Sequence, residues 1–159
     1  MLLWLGPGEA GAGERLRSVA PRFKVESITG QKLELETLRL RGPVLIDFWA
    51  TWCKPCVTAI PELEKIHRAC DARGLTVIGV SVDGPRSFAK VRPAVNRLGI
   101  TYPIVLDQDG SLQQKYQVRA MPTTVLIDTS GAIVHVMQGF RPGEGDRLRK
   151  LIEELLPSP

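Results

Sequence analysis

Ten residues about a third of the way along the chain constrain it most: Asp47-Phe48-Trp49-Ala50-Thr51-Trp52-Cys53-Lys54-Pro55-Cys56. Two cysteines three apart follow an apolar run, Val44 to Phe48, that reads as a buried strand. They stand where the next amphipathic pattern begins, with apolar residues at Ile60, Leu63, Ile66 and Ala69 or Cys70, so the pair falls at the head of a helix. Residues i and i+3 share one helix face, within the roughly 4.4–6.8 Å Cα separation that a disulfide spans. Cys53 and Cys56 can therefore open and close a bond with little backbone motion. Unpaired N–H groups and the helix dipole favour a thiolate there and can bring a cysteine pKa from about 8.5 down to roughly 3.5–7.5. Cys53, the outer of the two, is the expected nucleophile. Lys54 adds positive charge, and Pro55 removes one backbone donor from the turn.

The bulk numbers leave room for this chemistry and close off others. A chain of 159 residues, 43% apolar, supplies one domain with a core that needs no staples. Three cysteines cannot all pair internally; one C-x-x-C plus Cys70 suits a redox motif, since the second C-x-x-C or paired histidines of a zinc site are missing. Cys70, His67 and His135 read as packing residues. The net charge of +4 is scattered, without the aromatic-interleaved basic stripe of a nucleic-acid binder. No run approaches the roughly 18 apolar residues of a membrane span. Residues 1–20, with Leu2-Leu3-Trp4-Leu5 and then Gly6-Pro7-Gly8, read as a leader, either a signal remnant or a disordered Gly-rich stretch, and 21–157 as the domain.

Within that domain, Lys32-Leu33-Glu34-Leu35 predicts a hairpin turning near Thr29-Gly30, followed by a helical turn. The helix opened by Cys53 should run to about Ala72, kinked at Pro61 and ended by Gly74. Leu75 to Val82 is a continuous apolar run suited to a central parallel strand, giving a right-handed β–α–β unit. A second helix, about 86–98 and broken at Pro93, leads to a strand at Tyr102–Leu106. After a short helix at Leu112–Tyr116, strands at Thr123–Asp128 and Ala132–Gln138 form an antiparallel hairpin around Thr129-Ser130-Gly131, and a helix from Glu144 to Leu155 closes the chain. The class is α/β, a mixed central sheet flanked by helices.

On these residues the chain resembles the thioredoxin-like superfamily. Six residues before Cys53 stands Asp47, matching the family's buried acid; Trp49, Trp52 and Pro61 match its tryptophans and helix proline; Pro122, in Met121-Pro122-Thr123-Thr124, matches its cis-proline, and Gly139 its late glycine beside the substrate groove. The N-terminal hairpin, the helix–strand insertion at about 84–106 and the phrase Phe-Trp-Ala-Thr-Trp-Cys resemble the TlpA/ResA-type subgroup, usually extracytoplasmic. The resemblance implies a thiol–disulfide oxidoreductase, a reductase by its Lys54-Pro55 pair, with Cys53 attacking and Cys56 resolving. It implies that Asp47 takes the Cys56 proton, that Trp52, Met121, Pro122 and Gly139 meet the substrate, and that Lys54 and Pro55 tune the site. No cofactor beyond the Cys53–Cys56 disulfide, and no metal, is expected. The expected partners are protein disulfides and an upstream electron donor, met by a monomer without nucleic acid.

Two positions depart from the pattern. Many TlpA/ResA-type proteins carry a cavity glutamate three residues after the second cysteine, where this chain has Ala59, which argues against apocytochrome-type specialisation. In thioredoxin a lysine on the strand after the first helix pairs with the buried acid; the corresponding residue is Gly79. Two other readings are a thiol peroxidase, whose Thr-x-x-Cys loop is missing because Thr51 is two residues from Cys53, and a copper or zinc delivery module, for which Met121 is the one candidate ligand beyond the cysteines.

Overall fold

In the computed structural model, which describes residues 18–158, the elements in order are β1 (Ser18–Val19), β2 (Lys24–Glu26), β3 (Lys32–Glu34), α1 (Leu35–Arg41), β4 (Val44–Trp49), α2 (Lys54–Cys70), β5 (Thr76–Ser81), α3 (Phe88–Leu98), β6 (Ile104–Leu106), α4 (Ser111–Lys115), β7 (Thr123–Ile127), β8 (Ala132–Gln138) and α5 (Glu144–Leu155). Six strands form one sheet in the order β1-β8-β7-β4-β5-β6. β4, β5 and β6 run parallel, and β7, β8 and β1 add antiparallel neighbours. β4, with all six residues buried, lies at the centre, which its unbroken apolar character requires.

Alternation along β4 divides the interior. Val44, Ile46 and Phe48 join one cluster with the β2–β3 hairpin, α1 and α4, through Phe23, Leu33, Leu35 and Leu112. Leu45 and Trp49 face the other way, into a cluster with Ile60 and Leu63 of α2, Val91 and Ala94 of α3, and Leu148 and Ile152 of α5. Asp47 shares that second face, and the alternation thus carries an acid into the layer under α2. The hairpin turns at Gly30, whose φ of +86° suits a residue without a Cβ. It is tied to β6 by Ile28 N–H donating to Ile104 O at 2.8 Å.

Several boundaries move for identifiable reasons. Most of the leader expected over 1–20 lies outside the described residues, but Ser18 and Val19 pair with Ile133 and Ala132, so the sheet begins before residue 21. α2 ends at Cys70, passes through a 3-10 turn at Asp71–Arg73, and stops at Gly74 with φ +112°. α3 is continuous through Pro93 rather than broken: the ring is exposed while Val91, Ala94 and Val95 bury the inner face, and that burial holds the helix across one missing backbone donor. β6 begins at Ile104, two residues later than expected, because Pro103 has no N–H for the ladder, although its carbonyl accepts from Gly79 N–H at 2.9 Å.

Candidate active site

Cys53 is the residue immediately before α2. Its extended backbone (φ −93°, ψ 104°) places its sulfur over the first turn, where Sγ accepts the Cys56 N–H at 3.3 Å. A side chain in this position takes up one of the donors that a helix start leaves unpaired. The sequence places Cys53 inside the helix; it caps the helix, and the interaction with the amide end is thereby more direct. Cys53 and Cys56 form a disulfide with Cα atoms 5.3 Å apart. Cys56 is fully buried and Cys53 is 6% exposed.

The outer sulfur looks onto an open cleft of about 540 Å³ whose lining includes Trp52, Cys53, Lys54, Pro55 and Met121. Five of the expected site residues therefore share one surface. Trp52 is 64% exposed, an unusual position for so large an apolar group. The Met121–Pro122 peptide is cis. Pro122 is buried and its carbonyl accepts the Gly139 N–H at 2.7 Å, so these two residues join the ends of β7 and β8 and do not line the cleft. Gly139 has φ +78° with open space where a Cβ would point; its backbone conformation, not crowding, favours glycine.

Asp47 lies on the α2 face of β4, fully buried. Thr124 Oγ1 on β7 donates to its Oδ1 at 3.3 Å, while Oδ2 makes no hydrogen bond within the protein. Removal from water raises its pKa from 3.8 to about 7, only partly opposed by Thr124. Its neighbour in register on β5 is Gly79. A Cβ there would stand 2.5 Å from Ile104 Cδ1 and 3.2 Å from both Trp49 Nε1 and Tyr102 Cε2. A lysine cannot grow from that position without displacing Ile104, and the Trp49 and Tyr102 rings crowd it on the other sides. Tyr102 is itself buried, its hydroxyl lacks a hydrogen-bond partner, and burial followed by the Asp47 and Glu64 charges pushes its pKa up. Where thioredoxin is expected to offer Asp47 a cation, this chain offers an aromatic ring.

Two carboxylates that sequence reasoning missed hold the site's surroundings. Asp83, at the end of β5 and 1% exposed, accepts Thr51 N–H at 3.0 Å, Thr51 Oγ1 at 2.5 Å and Ser81 Oγ at 2.8 Å. It thereby fastens the loop that delivers Trp52 and Cys53. Its signal was its place just beyond the carboxyl end of a parallel strand, where open α/β sheets assemble their sites. Glu64 on α2 accepts Thr101 N–H at 3.0 Å, Thr101 Oγ1 at 2.6 Å and Arg68 Nε at 2.7 Å, joining α2 to the segment that enters β6. Burial pushes the Glu64 pKa up, but these hydrogen bonds outweigh it and the net displacement is downward. Cys70 is buried at the far end of α2, and His67 packs edge-on to Tyr102 with ring centroids 5.7 Å apart. Among the described residues, no group of three or more His, Cys, Asp or Glu converges as a metal site.

Known proteins share this arrangement. A family profile described as AhpC/TSA family matches residues 16–136. The thiol–disulfide oxidoreductase ResA of Halalkalibacterium halodurans is 35% identical over 130 residues, covering 82% of this chain and 70% of the relative. Among solved structures, a Chlorobium tepidum protein proposed to be the thiol:disulfide interchange protein DsbE superposes with TM-score 0.79 at 28% identity, over 87% of this chain and 95% of that one. A thiol:disulfide interchange protein from Bacteroides sp. does so with TM-score 0.73 at 29% identity, over 87% and 88%. The chain belongs to the AhpC/TSA family and, with a Cys53–Cys56 disulfide at the head of α2, is a thioredoxin-like thiol–disulfide oxidoreductase.

Proposed function

We propose that the protein works as a reductase of protein disulfides, with Cys53 attacking and Cys56 resolving. One observation carries the assignment: Cys53 caps α2 with its sulfur on the Cys56 N–H and borders an open cleft, whereas Cys56 is fully buried behind it. In the reduced protein the Cys53 thiolate attacks one sulfur of a substrate disulfide. That S–S bond breaks, the other substrate sulfur leaves as a thiolate, and a mixed disulfide forms. Cys56 then gives its proton to the Asp47 carboxylate and attacks Cys53 Sγ. The second substrate thiolate departs, leaving the substrate reduced by two electrons and the protein oxidised. A base titrating near neutrality suits that transfer, and Asp47 with a pKa of about 7 is such a group.

Trp52 and the Met121 backbone form the walls against which the substrate segment lies, with Pro122 and Gly139 supporting them. Lys54 favours the Cys53 thiolate by charge, and Pro55 withholds a backbone donor. An upstream thiol donor returns the pair to the dithiol state, and the disulfide itself is the whole redox group. The proposed setting is extracytoplasmic, supported by the resemblance to the TlpA/ResA-type subgroup.

The test is trapping. Reduced Cys56→Ser, offered insulin, should accumulate a disulfide-linked adduct detectable by mass spectrometry, and Cys53→Ser should form none and reduce no insulin. Normal turnover by the Cys56 variant would refute the assignment of roles.

A further inference from the structure

Trp52 borders two clefts. One is the cleft containing Cys53; the other, of about 380 Å³, lies between the Thr51–Trp52 loop and α3. The charged residues that line both have one sign. Lys54 and Arg119 line the first cleft, Lys90 and Arg97 the second, and neither lining contains a carboxylate. All four cations are exposed, and none takes part in the ion pairs that occupy Arg22, Lys24, Arg39, Arg41, Lys65, Arg68 and Arg149 elsewhere on the described surface. Asp109, in the loop after β6, is exposed and accepts the Ser111 N–H, while the carboxylates at the neighbouring strand ends, Asp83 and Asp107, are buried, with both oxygens of each accepting hydrogen bonds, from Thr51 and Ser81 and from the Leu112 and Gln113 amides. These two buried acids offset part of the positive field from below but offer nothing at the surface. The amino end of α2 adds to the same sign.

We propose, on the reading that the protein reduces protein disulfides, that the segment it reduces is acidic: an extended stretch with Asp or Glu on both sides of its cysteine. Such a segment lies across the exposed Trp52 indole. Its carboxylates meet Lys54 and Arg119 on the cysteine side and Lys90 and Arg97 on the α3 side. The indole supplies the desolvated contact that anchors a small interface, and the flanking cations supply orientation and encounter rate. Because α3 belongs to the insertion at about 84–106, that insertion has a role in choosing the substrate, through Lys90 and Arg97.

The experiment uses three synthetic peptides that enclose the same disulfide and differ only in flanking Glu, Gln or Lys. Their reduction by the full chain, recycled to the dithiol state by a small thiol whose direct reaction with each peptide is subtracted, is followed at low and at moderate ionic strength. At low salt kcat/KM should fall about tenfold from the Glu to the Gln peptide and further to the Lys peptide, and screening should compress that spread several-fold at about 0.3 M salt. In Lys90→Glu/Arg97→Glu the Glu-to-Gln ratio of kcat/KM should drop towards one or invert. Referring each protein's Glu rate to its own Gln rate removes any general loss of activity in the variant. Equal rates for all three peptides in the wild type would overturn the proposal, and a preference that survives the double variant would overturn the role of α3. If neither the peptides nor the small neutral hydroxyethyl disulfide is reduced by the wild type, it is disulfide reduction itself that fails, and the proposal falls with it.

Discussion

Asp47→Asn separates the electrostatic cost of the buried acid from its shape. In the folded protein the carboxyl holds its proton up to a pKa of about 7, whereas unfolded it releases it near 3.8. Between those values the native state binds more protons than the unfolded state, so stability is full below the unfolded pKa and is lost as pH rises through the folded one. The span of about 7 minus 3.8, at about 1.36 kcal/mol per unit, amounts to about 4 kcal/mol, with about 3 kcal/mol of it lying between about pH 5 and about pH 8.5. Asn keeps the planar shape and the acceptor for Thr124 but never ionises. The oxidised variant should therefore gain on the wild type as pH rises, and the difference between the two cancels every other titrating group. Urea unfolding of both proteins across that range measures it. A difference that stays constant with pH would refute the reasoning, since it would mean that Asp47 titrates alike folded and unfolded. The same variant should slow the resolving attack of Cys56 near neutral pH while leaving the first attack by Cys53 much less affected, a split that stopped-flow mixing resolves.

Gly79→Ala forces a methyl to within 2.5 Å of Ile104 Cδ1 and 3.2 Å of the Trp49 and Tyr102 rings, in a layer where Ile104 is 2% exposed. It should cost about 1–3 kcal/mol, read as a lower urea midpoint at unchanged slope; an unchanged midpoint would show that the β5–β6 edge yields. The reduction potential, measured by equilibration with glutathione, should lie below about −200 mV, nearer the roughly −270 mV of thioredoxin than the −120 mV of DsbA. A value at the oxidising end would turn the proposed reductase into an oxidant with the same site.

Much of the site was legible because its signals are local. The Cys-x-x-Cys pair, the apolar run before it and the amphipathic pattern after it lie within about thirty residues, and periodicity alone sets their order of strand, sulfur and helix. The β7–β8 hairpin was equally plain, since Thr129-Ser130-Gly131 separates two strand-like runs. β1 was not. Two exposed residues, Ser18 and Val19, carry no alternation to read, and only the free edge of β8 gives them a place. Pro93 misled for the converse reason: its local preference breaks a helix, but the burial of Val91, Ala94 and Val95 is a tertiary gain that a local rule does not weigh.

The environment of Asp47 shows where one-dimensional reading stops. Gly79 is visible in the sequence as a missing lysine, but what fills the space comes from Tyr102 and Ile104, twenty-three and twenty-five residues later, brought over Gly79 because β6 pairs with β5. A cation beside Asp47 would hold its pKa down, whereas a ring leaves desolvation to act almost alone. The pKa of Asp47 therefore depends on residues outside any motif. Asp83 belongs to the same class: nothing in Ser81-Val82-Asp83 mentions cysteine, yet its two oxygens fix the loop on which Cys53 stands. The motif specifies which sulfurs react, while residues that only the sheet's topology brings near it govern how strongly the acid behind them ionises and how firmly the outer sulfur is held.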